Sequence, residues 1–323
     1  MGIPLYRQEQ EWNRCGINLT RQTMSNWLIK ATFDWLEPIY DVLKEILCTH
    51  KVLHVDETSL QVLREPDKPP ESKSYMWLYR TSGDTNNPIV LYEYQPDRKA
   101  EHPKLFLKNF TGYLHTDGYD GYHDLSDTVK VVGCFAHSRR KFDEAMKGMP
   151  KKDQADSLAM IGKRFDKLFL LERDFSDLTA EERLQKRREL SKPVFDELYR
   201  WLNSLNPPPK TGLTAAVVYM RNQREYLERY LEDGGLEISN NRAERSIKPF
   251  VIGRKNWLFA NTPRGAKASA ILYSIIETAK ENCINPYEYL TYIFKNAPNW
   301  DILHNPDFLD LLMPWNAPVS RKT

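Results

Sequence analysis

Over the first 48 residues the apolar positions recur at helical spacing. LYRQEQEWNRCG carries a helix to Gly16, a residue able to stop it in left-handed backbone. INLTRQTMSNWLIKA restarts with Thr20 as N-cap, and Met24, Trp27 and Leu28 form one apolar stripe. Two helices around a tight glycine turn fit a plain helical hairpin, the commoner case, or a helix-turn-helix. TFDWLEPIYDVLKEIL adds a further helix.

From Lys51 the period shifts towards two. KVLHVDETSLQVL reads as a strand with Asp56 near its end, and SYMWLYRTSG with NPIVLYEYQ as a hairpin turned by GDTNN. HPKLFLKNF is a short helix, GYLHTDGYDGY a strand ending at Asp117, and TVKVVGCFAH another β-rich run. That order predicts a mixed sheet. Residues 150 to 206 are charged, helical in period and closed by NPPPK, and a helix at 213 to 233 ends at DGG. In ISNNRAERSIKPF, Ser239 is a candidate N-cap; Ala243, Ile247 and Phe250 share a face, and Pro249 limits or kinks the helix. PRGAKASAILYSIIETAKEN is a helix rich in small residues, and NPYEYLTYIF opens with an Asn cap and Pro at the first position.

Composition adds bounds. With 323 residues, 41% hydrophobic and 28% charged, the chain is expected to be globular and cytoplasmic, with no membrane partner. Cys15, Cys48, Cys134 and Cys283 are widely spaced, which argues against a disulfide framework. Net charge is only +2, yet Ser239 to Lys280 holds eight Lys or Arg against two acids. A local basic patch on a near-neutral protein fits a phosphate-backbone footprint or a merely solvated face.

Asp56 and Asp117 sit beside turn-forming residues, and clustered carboxylates are tolerable only with a proton or a cation. Hard divalent ions take such oxygen ligands. His54 and His115 each precede an Asp by two positions, so a transition-metal site is a weaker alternative. Cys134 and His137 lack a second half-site for zinc and are read as orienting local structure.

RAERSIKPFVIGRKNWLFANTPRGAKASAILYSIIETAKENCINPYEYL closely resembles the C-terminal signature of bacterial insertion-sequence 66 family transposases. VLHVDETSLQVL, YLHTDGYDGY, GCFAHSRRKFDEA and GIPLYRQEQEWNRCGINLTRQTMSNWL resemble its other blocks, in order and across nearly the whole chain. The resemblance implies an α/β, RNase H-like mixed sheet flanked by helices, with an all-helical insertion and an N-terminal helical segment. The expected segments are 1–48, 49–149 (first catalytic part), 150–235 (insertion), 236–297 (second catalytic part) and 298–323. It carries Asp56, Asp117 and Glu244 to a DDE triad, and Cys134 and His137 to a C-x-x-H element. Members usually have a longer region before LYRQEQEW, so recognition of transposon ends is a separate question from catalysis.

The expectation is therefore a DNA transposase that cleaves and transfers strands with two Mg²⁺ ions, Mn²⁺ substituting, and acts as a homodimer on DNA. Arg242, Arg245 and Lys248 are candidate phosphate contacts, with an i,i+4 pair from Glu244 to Lys248 as the plain alternative. Arg254, Lys255 and Trp257 are candidates to bind or stack on a strand, Trp257 being equally suited to core packing. Asn240 and Asn241 are read as caps before DNA contacts. A cellular nuclease on the same fold, and a non-catalytic DNA-binding remnant, are the competing readings.

Overall fold

A computed structural model describes residues 3–154, 157, 163 and 166–321. The chain begins with α1 (Leu5–Arg14), α2 (Arg21–Ala31), α3 (Glu37–Cys48), β1 (Val52–Gln61), β2 (Lys73–Thr81), β3 (Val90–Gln95) and α4 (Glu101–Phe106). Next come β4 (Gly112–His115), β5 (Val129–Val132), α5 (Phe135–Lys147), α6 (Lys151–Gln154), α7 (Asp166–Asp174) and α8 (Ala180–Lys186). Then follow α9 (Lys192–Ser204), α10 (Gly212–Asn222), α11 (Arg224–Glu228), α12 (Asn241–Trp257), α13 (Pro263–Glu281), α14 (Pro286–Asn296) and α15 (Pro306–Leu312). Strands and helices are mixed, and strand pairing is both antiparallel and parallel. Among the described residues no helix is long and apolar enough to cross a membrane.

Two compact units divide the chain, Met1–Thr111 with Ala243–Thr323, and Gly112–Arg242. This division cuts differently from the five expected segments. β4 and β5 fall with the helices of 150–235, and the boundary near 242 lies inside the first turn of α12.

In the first unit, Gly16 ends α1 at φ +78°. The N–H of Ile17 reaches Trp12 O (2.9 Å) and that of Gly16 reaches Asn13 O (3.0 Å), the paired bonds of a Schellman stop. Thr20 caps α2 by accepting the Thr23 N–H at 3.1 Å. A π-helical turn, Thr32–Leu36, carries α2 into α3. β1, β2 and β3 form an antiparallel meander in which Asp56 faces Leu78, and Leu78 faces Tyr92. Alternation then assigns two faces. On one, Leu60, Val62, Met76, Leu78, Val90 and Tyr92 pack against Ala243, Ile247 and Phe250 of α12 and Ala266 and Ala270 of α13. On the other, Tyr79 stacks on Phe106 of α4 at 3.7 Å, and Lys44 of α3 lies 4.1 Å over that ring.

β3 is the edge strand of this meander, and α13 covers it chemically. Ser274 Oγ accepts the Tyr92 N–H (2.7 Å), and Thr278 Oγ1 accepts the Val90 N–H (3.0 Å) while donating to Val90 O (2.9 Å). The small residues that mark this helix in the sequence allow that approach.

In the second unit β4 and β5 pair in parallel, and the Thr116 N–H extends the pairing to Val132 O at 3.0 Å. An aromatic core forms where Phe135 meets Phe195 and Tyr230 edge-on, at 6.2 and 5.5 Å. Buried Arg187 pairs with Glu172 and donates to the carbonyls of Tyr230, Asp233 and Leu236 at 2.7–2.9 Å. Those bonds fix the DGG bend that the sequence marks as a helix end. The expected helix at 213–233 is broken into α10, α11 and a 3-10 turn, Arg229–Leu231.

Candidate functional site

Asp56 lies mid-strand, the fifth residue of β1, and not near its end as expected. The ladder with β2 continues through Glu57, Thr58 and Ser59, so their polarity marks a half-buried strand rather than a turn. Alternation puts His54, Asp56, Thr58 and Leu60 on the face that α12 covers. The Asp56 carboxylate is half-buried, and Oδ1 accepts the N–H of Glu57 at 2.8 Å. A carboxylate anchored on a strand interior is held with little freedom.

Glu244 stands in the first turn of α12. Ala243, Ile247 and Phe250 seat that helix on the sheet, and polar ties set its position along the strand. Arg80, the cross-strand partner of His54, donates to the Ser246 hydroxyl. The Tyr92 hydroxyl donates to the Ser246 carbonyl. Further on, Arg254 Nη1 reaches Thr58 Oγ1 at 3.2 Å. α12 therefore passes β1 from the level of His54 to that of Thr58 and brackets Asp56. The structure thus brings the strand of Asp56 and the helix of Glu244 onto one face. Ser246, Arg80 and Thr58, which set this alignment, were not singled out by sequence reasoning; their polarity at core-facing positions was the signal. Pro249 lies inside α12 and the helix continues through it to Trp257.

The cations of α12 separate into two groups. Arg242 pairs with Glu237, within the second unit, and Arg254 is bound to Thr58. Arg245, Lys248 and Lys255 are exposed, and their side chains make no hydrogen bond or ion pair among the described residues. The expected i,i+4 alternative from Glu244 to Lys248 is therefore not formed. With Ile252, these three residues draw one exposed stripe along the helix, spanning about 15 Å at 1.5 Å per residue. Trp257 is half-buried, edge-on to Phe250 at 5.4 Å and packed near Tyr273. Its ring serves the core, the plainer of its two expected roles.

In the second unit Asp117 follows the last residue of β4 by two positions, and its Oδ1 accepts the Tyr119 N–H at 3.0 Å. Gly118 takes φ +89°, which turns the chain immediately after Asp117. The Tyr219 hydroxyl donates to the Asp117 carbonyl at 3.1 Å. Burial, then the neighbouring Cys134 and Asp117, hold that hydroxyl well above the usual tyrosine range, so it remains a donor. His115 is fully buried, and its Nε2 accepts the Glu237 N–H at 3.2 Å, a structural tie rather than a metal bond. Cys134 precedes α5 and accepts the Asn240 N–H on Sγ at 3.1 Å; Phe135 N–H reaches Ile238 O at 3.1 Å. His137, one turn on, meets Arg140 at 3.2 Å. Together these contacts stitch the start of α5 to the segment leading into α12. α12 starts at Asn241, so buried Asn240 holds the position immediately before it, and Ser239 stands one residue too early.

Residues 1–268 match the family described as "Transposase IS66 family", and residues 274–315 match the "IS66 C-terminal element". Among curated proteins, "Uncharacterized protein y4qI" of Sinorhizobium fredii is 32% identical across 98% of this chain and 60% of its own length. "Uncharacterized protein y4hP" of the same organism is 30% identical, across 98% of this chain and 59% of its own length. The chain thus spans about three fifths of the length of these relatives.

Proposed function

The chain belongs to the IS66 family of transposases, and from that premise we propose that it cleaves DNA strands and joins them to new sites by a DDE mechanism on an RNase H-like scaffold. The observation that carries the proposal is the seating of Glu244's helix on the sheet face that bears Asp56. Asp117, the family's second acid by resemblance, completes the donor set. All three are hard oxygen donors suited to Mg²⁺ or Mn²⁺, and imidazole is not needed. Two such ions, when bound, supply Lewis acidity to the attacking and leaving oxygens.

The chain's own residues supply holding and positioning. The bond from Glu57 N–H to Asp56 and that from Tyr119 N–H to Asp117 each fix one carboxylate oxygen and so limit the rotation of the group. Arg245, Lys248 and Lys255 present unpaired charge to phosphates along α12. In cleavage, water attacks a phosphodiester and frees a 3′ hydroxyl. In transfer, that hydroxyl attacks a second phosphodiester and displaces its 3′ oxygen. Both steps depend mainly on orientation. The proposal places the protein in the cytoplasm, as a homodimer when on DNA.

The same basic stripe would also serve a DNA-binding protein without chemistry, and one experiment separates the two. Mn²⁺ binding is followed by electron paramagnetic resonance, and nicking of a supercoiled plasmid is followed on a gel. The proposal expects Asp56→Asn, Asp117→Asn and Glu244→Gln each to weaken Mn²⁺ binding and abolish nicking, with the circular dichroism unchanged. Mn²⁺ binding that survives all three substitutions together refutes the assignment. DNA binding by a wild-type protein that neither holds Mn²⁺ nor nicks supports the non-catalytic reading.

A further inference from the structure

α12 ends in a turn that is strained and exposed. Leu258 sits at φ +68°, the left-handed region that suits Gly or Asn and not a bulky side chain. Its N–H reaches Arg254 O at 2.7 Å, and the N–H of Phe259 closes a three-residue turn onto Trp257 O at 2.9 Å. A three-residue turn about a positive-φ residue is the rare, strained form. The side chains it displays are apolar and face water: Leu258 is 63% exposed, Phe259 43% and Ile252 60%. Neither core packing nor turn propensity accounts for leucine and phenylalanine there.

The tip is held firmly from both sides. Ala260 N–H bonds to Gln61 O at 2.9 Å, Leu63 N–H to Ala260 O at 3.0 Å, and Arg64 N–H to Asn261 O at 3.0 Å. Trp257, just before the tip, is packed on Phe250. Thr262, just after it, caps α13 through the Gly265 N–H at 3.1 Å. An apolar pair is therefore presented on a rigid base, at the end of the stripe of Arg245, Lys248 and Lys255. Exposed Arg64 stands beside it, and its side chain too has no hydrogen bond or ion pair among the described residues.

We propose that Leu258 and Phe259 form a wedge that enters a base step of duplex DNA while the α12 stripe holds the phosphates leading to it. This rests on the reading of α12 as a phosphate-binding face. Charge selects the occupant: a duplex offers phosphates to the unpaired cations and a stacked apolar interior to the tip, whereas an apolar protein patch would leave those cations unmatched. Insertion of Leu or Phe between bases is an established way to unstack and bend a duplex. From Glu244 to Leu258 the helix rises about 21 Å. At about 3.4 Å per base pair, a duplex lying along α12 is unstacked roughly six steps from the phosphate at Glu244.

The test uses the full chain and an A·T-rich 40-base-pair duplex, with fluorescence anisotropy for binding and permanganate oxidation for unstacked thymines. Wild type is expected to bind and to raise thymine reactivity. The Leu258→Ala/Phe259→Ala variant loses that reactivity and roughly tenfold in affinity, the scale of one or two lost base contacts. Phe259→Trp retains the reactivity, and matching melting curves exclude unfolding as the cause. Binding without unstacking by wild type overturns the wedge and leaves the phosphate-binding reading intact. Failure of wild type to bind overturns both. Retained unstacking in the double-alanine variant, with a smaller oligomer by light scattering, reassigns the tip to a contact between copies of the chain.

Discussion

At the scale of single residues, the clearest dependence is on Arg187. Its guanidinium is 1% exposed, paired with Glu172 and bonded to three carbonyls around the DGG bend. Removing it strands a half-buried carboxylate and three carbonyl acceptors together. Arg187→Ala should cost about 3–5 kcal/mol in urea unfolding, and a loss below 1 kcal/mol would mean that water replaces the bonds. Glu93, on β3, gives a pH signature. Burial, opposed by Lys44, pushes its carboxyl from about 4.5 up to about 7. Between those values the folded protein keeps a proton that the unfolded chain has released, so this group's contribution to stability falls as pH rises through that window. Glu93→Gln should match wild type in melting temperature near pH 4.5 and exceed it by a few degrees at pH 8. An equal difference at both pH values would refute the buried-charge account. Neither residue stood out in the sequence, because burial of a charge is a tertiary fact. Asp56 and Glu244 did stand out, through motif resemblance. Partners were the illegible part: nothing in the spacing of Glu237 and Arg242 shows that they pair.

At the scale of elements, periodicity was a good guide where local chemistry decides. Gly16, Thr20 and Asn285 stop or start helices because capping involves residues only a few positions apart. It found β1 but misplaced Asp56 near its end, because the polar residues that follow look turn-forming until β2 pairs with them. It also could not show that α13 covers a sheet edge. The hydroxyls of Ser274 and Thr278 there occupy the place of another strand, satisfying donors that would otherwise invite pairing with a second chain. Ser274→Ala with Thr278→Val leaves two buried N–H groups unpaired, at about 1–3 kcal/mol each. The double variant should unfold at lower urea and aggregate sooner on heating, measured by light scattering. Stability within 0.5 kcal/mol of wild type, roughly the scale of a neutral surface change, would show that the edge finds other partners.

At the scale of the whole molecule, the net charge of +2 hides an asymmetry that the structure sharpens. Of the eight basic residues between 239 and 280, Arg242 and Lys280 are paired with Glu237 and Glu277, Lys267 with Glu37, Arg254 is bonded to Thr58, and Arg264 lies over Phe33 at 5.2 Å. What remains for a polyanion is the stripe of Arg245, Lys248 and Lys255, a footprint smaller than the composition suggests. Three phosphate contacts on a duplex predict a salt slope of log affinity steeper by about 2.7 than in a protein lacking them. Arg245→Ala/Lys248→Ala/Lys255→Ala should therefore flatten the slope by roughly that amount. Asp56→Asn with Glu244→Gln should leave the slope unchanged and raise affinity in the absence of divalent ions, because two carboxylates no longer repel the phosphates. Adding Mg²⁺ should strengthen DNA binding by wild type and not by the acid variant. A slope untouched by the triple-alanine change would place the duplex elsewhere on the protein, and an acid variant that still responds to Mg²⁺ would separate the ion from these carboxylates.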